Sequence, residues 1–404
     1  MDNRTAGRAA LAVLGLCFVL TVLSRGLNES FTVFLLPISQ DFGWDRAAII
    51  SIYSLSALTS GLASPWIGRL FDHSGPRAVY GLGLVLLGAS FSAAGYAHQL
   101  WQFQLLIGVG IGLAAACLGS VTSALLLARW FGPRLPTAMA VIYSAMGAGT
   151  LFALPLSQVL IDSYGWRGTY QILGAFGLVL LIPVFLLPWR RIAEGSPTLP
   201  KHNVAGQGDR TWTLASAMRH HAFWALFSTF FFTAVGIFAI SAQAVAYLID
   251  AGFPPLQAAT AWGFSGALLL AGMMFISWLD GVIGRRRSIL LSYSLTISGI
   301  VILYYLARFP NIWLLAGFIV CFGSMQGSRG PLISATAMKI FRGERVGTIF
   351  GTISIGSGLG AALGSWSGGL IHDWTGGYDA MLGFALANIV IGMIPFLVVP
   401  MLRR

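Results

Sequence analysis

Three charged side chains sit inside otherwise apolar stretches: Arg25, Glu29 and Arg329. A charge within a membrane span is costly and usually marks a functional site. Arg25 and Glu29 are four residues apart, so on a helix they share one face. Arg329 lies in Gly323-Ser324-Met325-Gln326-Gly327-Ser328-Arg329-Gly330-Pro331. A guanidinium presents a planar fork of N–H donors that matches a carboxylate. Arg25 and Arg329 are therefore candidates to bind an anionic group. Glu29 is the candidate proton-coupling site, its proton affinity set by burial and by the arginines. The plainer reading is that Arg25 and Glu29 only fix helix packing, while Arg329 bonds backbone carbonyls. The three charges sum to one positive, which favours an anion over a cation and also allows a zwitterion.

Polar and aromatic residues near the middle of apolar runs are secondary candidates for substrate binding: Asn28, Tyr53, Ser120, Tyr143, Gln243 and Gln326. Each can hydrogen-bond a substrate. Each can equally bond a neighbouring helix. The glycine runs Gly108-Val109-Gly110-Ile111-Gly112 and Gly356-Ser357-Gly358-Leu359-Gly360 superficially resemble phosphate loops. They lie inside apolar runs with no strand before them, so they read as helix packing. His73, His98 and the pair His220-His221 show no metal spacing. Cys17, Cys117 and Cys321 fall inside apolar runs and form no zinc or disulfide pattern. No cofactor and no metal is expected. The Asn28-Glu29-Ser30 sequon lies in a predicted span and is set aside.

The elements that must position these residues are membrane helices. Of 404 residues, 56% are apolar and only 9% are charged. A soluble domain would carry roughly a quarter charged residues. The net charge of +11 could suggest nucleic acid. The basic residues instead form short clusters between apolar runs, so no nucleic-acid partner is expected. About 20 apolar residues cross the hydrocarbon core as a helix. Twelve such segments are predicted, at about 9–37, 46–71, 78–97, 101–129, 136–162, 167–189, 220–250, 258–283, 288–308, 311–340, 347–372 and 378–402. The runs lack period-two alternation and are too long for barrel strands. The N-terminal run follows Arg4 and Arg8 like a signal peptide, but no small-residue cleavage site follows it. It reads as the first span.

Basic residues orient the spans. Nineteen of the 24 lysines and arginines fall on the side of both termini, which places the termini in the cytoplasm. Arg46, Arg167 and Arg308 fall opposite. The polar segment 190–219, with Pro197, Pro200 and Gly206, is the one long linker. It divides the chain into a six-helix bundle at 1–189 and another at 220–404. The bundles echo each other at an offset of about 209 residues. Asp41-Phe42-Gly43-Trp44 answers Asp250-Ala251-Gly252-Phe253. Arg129-Trp130-Phe131 answers Lys339-Ile340-Phe341, and Asp72…Arg77 answers Asp280…Arg285. Parallel repeats of this kind place a substrate site near the midplane at the repeat interface.

Gly68-Arg69-Leu70-Phe71-Asp72-His73-Ser74-Gly75-Pro76-Arg77 resembles the loop 2–3 signature of the major facilitator superfamily, Gly-x-x-x-Asp-Arg-x-Gly-Arg-Arg, with His73 in place of an arginine. The resemblance implies a gating role for Gly68, Asp72 and Arg77, with Asp280 in the degenerate second copy. Arg129-Trp130-Phe131 with Arg134, and Asn28-Glu29-Ser30-Phe31-Thr32-Val33-Phe34, resemble the monocarboxylate transporter family, and Tyr164-Gly165-Trp166-Arg167 is similar to its bacterial members. Glu29 stands where many members carry a lysine. Gly266 and Leu270 stand where animal members carry a functional aspartate and arginine. A lactate-type site is therefore not implied. In this superfamily's fold the first, fourth, seventh and tenth spans line the central cavity, which would bring Arg25, Glu29 and Arg329 to one site.

The expected protein is an all-α membrane protein of twelve transmembrane helices in two six-helix bundles, the major facilitator fold, with both termini cytoplasmic. The expected function is secondary active transport of a small organic anion, a carboxylate, by alternating access with proton coupling. An anion bridging Arg25 and Arg329 would favour an occluded state. The partners expected are the small-molecule substrate, protons and the lipid bilayer of a bacterial inner membrane, with the chain a monomer and not an enzyme. An exporter of amphipathic drugs or metabolites fits the same fold. A non-transporting membrane sensor is the alternative from another class.

Overall fold

The computed structural model describes residues 3–131, 135–195, 212–341 and 346–399, and every regular element among them is helical. That follows from the solvent. In hydrocarbon each backbone N–H must find its partner within its own segment, which a helix provides. The chain divides into two units, Met1–Phe42 with Ser51–Asn203, and Gly43–Ile50 with Val204–Arg404.

The first unit holds α1 (Asn3–Phe42) and α2 (Arg46–Ala94) from Ser51 onward. There follow α3 (Leu100–Phe103), a π-helical turn (Gln104–Ile111), α4 (Gly112–Leu118), α5 (Ser120–Phe131), α6 (Leu135–Val179), α7 (Leu181–Leu186) and α8 (Trp189–Glu194). Two long helices bend at glycines in the left-handed region: α2 at Gly75, with φ 76°, and α6 at Gly165, with φ 69°. A residue with a Cβ adopts such angles only under strain. Each bend separates two segments that the sequence predicts as distinct spans. Phe34, Phe91, Phe103, Trp166 and Tyr170 form an aromatic core along α1, α2, α3 and α6. Of the glycine run in the fourth predicted span, Gly108 packs on Leu55 and Gly112 on Ser56.

The second unit holds the first turn of α2, α9 (Leu214–Met218), α10 (His221–Ser241), α11 (Ala244–Asp250), α12 (Pro255–Ile283) and α13 (Arg285–Leu306). It continues with α14 (Ile312–Cys321), a 3₁₀ turn (Gly323–Met325), α15 (Gly330–Ile340), α16 (Val346–Thr375) and α17 (Asp379–Val398). α10 packs along α16 and α17, and α13 along α14. The first turn of α2 is tied into this unit by charge. Asp373 at the end of α16 accepts the backbone N–H groups of Arg46, at 3.2 Å, and Ala47, at 2.6 Å. This satisfies two of the donors that a helix start leaves open. The Arg46 side chain reaches Asp250 at 2.6 Å and the Tyr378 hydroxyl. Tyr378 in turn donates to Asp250 at 2.7 Å.

Among the described residues, nine helical stretches are long and apolar enough to cross a membrane, with a shorter tenth at Ile312–Met325. One of the nine, Val141–Leu186, is 46 residues long and includes the bend at Gly165. The tenth predicted span, 311–340, is not one continuous helix: α14 stops at Cys321 and α15 starts at Gly330. Of the predicted linker 190–219, residues 196–211 lie outside the described residues, as do the last five of the chain.

Candidate functional site

In the first unit the site is built on one turn of α1. Arg25 Nη2 lies 2.8 Å from Glu29 Oε1, the i, i+4 pair expected from the sequence. Tyr53, from α2, donates its hydroxyl to the same Oε1 at 3.1 Å. Tyr53 stacks on Phe31 with ring centroids 5.9 Å apart, which fixes its direction. The Glu29 side chain is 8% exposed and that of Arg25 35%. One carboxylate oxygen therefore carries both partners, and the arginine keeps an accessible edge. Asn28 accepts from Ser56 Oγ at 3.0 Å, a helix-to-helix bond between α1 and α2. The turn is held from behind by α6. A Cβ at Gly26 would stand 2.7 Å from the Gly149 carbonyl, so the two backbones pack with no side chain between them.

In the second unit the site is the break between α14 and α15. Gly323, Gly327 and the pair Gly330-Pro331 disfavour a continuous helix here. The break is also imposed from outside. A Cβ at Gly272 of α12 would collide with the Ser324 carbonyl, so the 3₁₀ turn presses directly on α12. Arg329 is the residue before α15 and is only 3% exposed. Its Nη2 donates to Thr296 Oγ1 of α13 and, at 3.3 Å, to the Met325 carbonyl. Its guanidinium carbon lies 4.3 Å from the centroid of the Tyr293 ring. Nε and Nη1 have no hydrogen-bond partner. Among the described residues no carboxylate pairs with Arg329. A buried cation with unpaired donors is costly, and the arrangement is one that an incoming anion would relieve.

Gln326, three residues earlier, also has a buried Nε2 without a partner. Gln243 is fully buried between α10 and α11, where its Nε2 meets Met381 Sδ at 3.3 Å and its Oε1 is unpaired. Tyr143 lies on α6 with 40% exposure. Ser120 opens α5 just after the extended residue Gly119, and its side chain lies outside the described residues. The predicted gating residues divide likewise. Gly68 has nothing within 4 Å of its Cβ direction, and Arg77 lies over Phe185 at 5.2 Å. The Asp72 side chain lies outside the described residues. Asp280 pairs with Arg285 at 3.2 Å, and Arg285 also donates to Thr336 at 3.0 Å. Among the described residues no group of three His, Cys, Asp or Glu side chains could hold a metal.

Sequence reasoning missed Tyr293 and Thr296. The signal was present: Ser288, Ser292, Thr296 and Gly299 recur every three or four residues along α13 and all are buried. A polar stripe at helical period marks an inward face. It also missed Thr233, which bonds the Tyr293 hydroxyl at 2.7 Å, and Gly392, whose carbonyl accepts from it at 3.0 Å.

Comparison with known proteins follows the whole chain. The family model described as Major Facilitator Superfamily matches residues 14–303 and 275–404. An uncharacterized MFS-type transporter, YcxA of Bacillus subtilis, is 26% identical over 98% of this chain and 97% of its own length. Monocarboxylate transporter 13 of Bos taurus is 27% identical over 93% of this chain and 85% of its own. Among solved structures, a bacterial homolog of the human lysosomal transporter Spinster, in an inward-facing and occupied conformation, is similar with a TM-score of 0.70. That match has 15% identity and covers 98% of this chain and 96% of the other.

Proposed function

We propose that this chain, which belongs to the Major Facilitator Superfamily and is a transporter rather than an enzyme, carries a small organic anion, a carboxylate, by alternating access coupled to protons. The observation that carries this reading is Arg329: a buried guanidinium with two unpaired nitrogens and no carboxylate partner among the described residues. In a membrane interior a permanent cation of this kind is ordinarily answered by a partner, and a substrate carboxylate would serve. Its guanidinium chemistry suits carboxylate recognition. The name of the monocarboxylate transporters among the relatives supports the substrate class.

Proton coupling is assigned to Glu29. Its carboxylate is buried and bonded through one oxygen to Arg25 and Tyr53. Protonation would weaken the Arg25 contact and free that arginine for substrate. Asn28, Tyr53, Ser120, Tyr143, Gln243 and Gln326 are proposed to line the path. Gly68, Asp72, Arg77 and Asp280 are proposed as gating residues. The proposed topology is twelve spans in bundles at 1–189 and 220–404, with cytoplasmic termini, in a bacterial inner membrane, the chain acting as a monomer.

The test is uptake of radiolabelled short-chain carboxylates into proteoliposomes with an imposed pH gradient. Arg329→Ala and Arg25→Ala are expected to reduce uptake at least about tenfold each, as loss of a charge-assisted hydrogen bond does. Uptake left intact by both substitutions would overturn the reading.

A further inference from the structure

The donors around Arg329 outnumber what one function requires of them. Arg329 offers Nε and Nη1, and Gln326 offers Nε2, all buried and all unpaired. They are brought to one level by local geometry. The Arg329 side chain folds back along the chain, since its Nη2 bonds the carbonyl of Met325, four residues earlier. Residues 326–329 continue the tight turn, with Gly330 N–H bonded to the Gly327 carbonyl at 3.1 Å. In such a turn, positions three apart lie one above the other. Gln326 and the Arg329 guanidinium therefore belong to one face of the broken segment.

The described neighbouring groups add no negative charge. Thr296 uses its own hydroxyl hydrogen on the Ser292 carbonyl, at 3.0 Å. Ser328 bonds Ser292 Oγ at 2.9 Å and the Met325 carbonyl at 3.1 Å. Tyr293 is engaged with Thr233 and Gly392. The guanidinium thus has neutral acceptors on Nη2 and an aromatic face, but no counter-charge among the described residues. Arginine does not shed its proton in a protein. The charge persists through every part of a transport cycle, including those with no substrate aboard.

We propose that the donor cluster of Arg329 and Gln326 is an inorganic monoanion site, occupied by a halide such as chloride when no carboxylate is bound, so that halide and carboxylate compete. The inference rests on the reading of Arg329 as the anion site and adds to it a second ligand. Water would bond these donors but leave the charge uncompensated. A halide accepts N–H donors without directional preference, so an ion on one edge of the guanidinium can also take the Gln326 amide. A divalent anion would exceed the single charge available.

The test uses the purified full-length protein in detergent, followed by thermal unfolding with intrinsic tryptophan fluorescence. Chloride and bromide are titrated against sulfate at constant ionic strength, then propionate is titrated at low and high chloride. A saturable, halide-specific rise in Tm is expected. Chloride should raise the apparent Kd for propionate linearly with chloride concentration, as a competitor for one site does. Arg329→Gln should remove the halide response, and Gln326→Leu should weaken halide binding about tenfold, the loss of one hydrogen bond to a charged group. If propionate stabilises the protein and chloride neither stabilises it nor competes, the halide site is refuted while the transport reading stands. If chloride stabilises and no organic acid does, the carboxylate reading fails while the halide site stands. A chloride response unchanged in Gln326→Leu and in Arg329→Gln would place the ion elsewhere and refute the site.

Discussion

The Arg329 guanidinium lies over the face of Tyr293, 4.3 Å from its ring centroid, and Tyr293 is itself fixed by Thr233 and the Gly392 carbonyl. The ring attracts the cation, and its hydroxyl, tied to α10 and α17, sets where the ring stands. Tyr293→Phe keeps the face and loses two hydrogen bonds. It should lower Tm by an amount corresponding to about 1–2 kcal/mol and leave anion uptake measurable. Tyr293→Leu removes the face as well, a further loss of about 2 kcal/mol for a desolvated cation–aromatic contact. Uptake assays should separate the two variants.

Glu29 shares one oxygen between Arg25 and Tyr53. Glu29→Gln keeps the shape and removes the titratable proton. Uptake driven by a pH gradient should be abolished, while carboxylate exchange at equal pH continues. Gradient-driven uptake at the wild-type rate would remove Glu29 from the coupling step.

Gly272 faces the Ser324 carbonyl with no room for a methyl group. Gly272→Ala must push the break between α14 and α15 away from α12, at a cost of about 1–3 kcal/mol for overpacking. The expected result is a lower Tm and a larger aggregated fraction on size-exclusion chromatography. Gly281→Ala, on the same helix with nothing within 4 Å, is the control and should behave as wild type.

His220 caps α10 by accepting the Ala222 N–H on Nδ1 at 3.2 Å, so the cap needs the neutral ring with its proton on Nε2. Burial and the charge of His221 hold its pKa below the ordinary histidine value. A base whose folded pKa is depressed contributes stability above its unfolded pKa. That contribution is lost as pH falls through the folded one, here below about 6.5. Hydrogen-exchange protection in the first turn of α10 should fall on acidification in that range. His220→Asn, an acceptor at every pH, should make the protection pH-independent.

Much of the architecture is readable from residue patterns, because hydropathy and the need to pair backbone groups act locally. The Arg25–Glu29 pair is readable for the same reason: both residues sit on one helix, four apart. The second half of the site is not. Tyr293 and Thr296 meet Arg329 from 36 and 33 residues away, and no spacing within one helix reports a contact between two. The break in the tenth predicted span was visible as Gly323, Gly327 and Gly330-Pro331. Hydropathy averages over such a run and returns one continuous segment. The bond from the Tyr53 hydroxyl to Glu29 likewise joins two helices and has no signature within either one.

Asp373 holds the start of α2 through main-chain amides. Asp373→Ala should cost about 1 kcal/mol, as loss of a helix cap does. Amide exchange at residues 46–50 should accelerate while the rest of α2 is unchanged. Because Asp373 recognises the amides of Arg46 and Ala47 rather than their side chains, the bond is indifferent to what evolution writes at position 47, with proline the one exception. Homologous chains could therefore conserve this fastening while the residue it grips drifts freely. Covariation between the two positions would carry no trace of it.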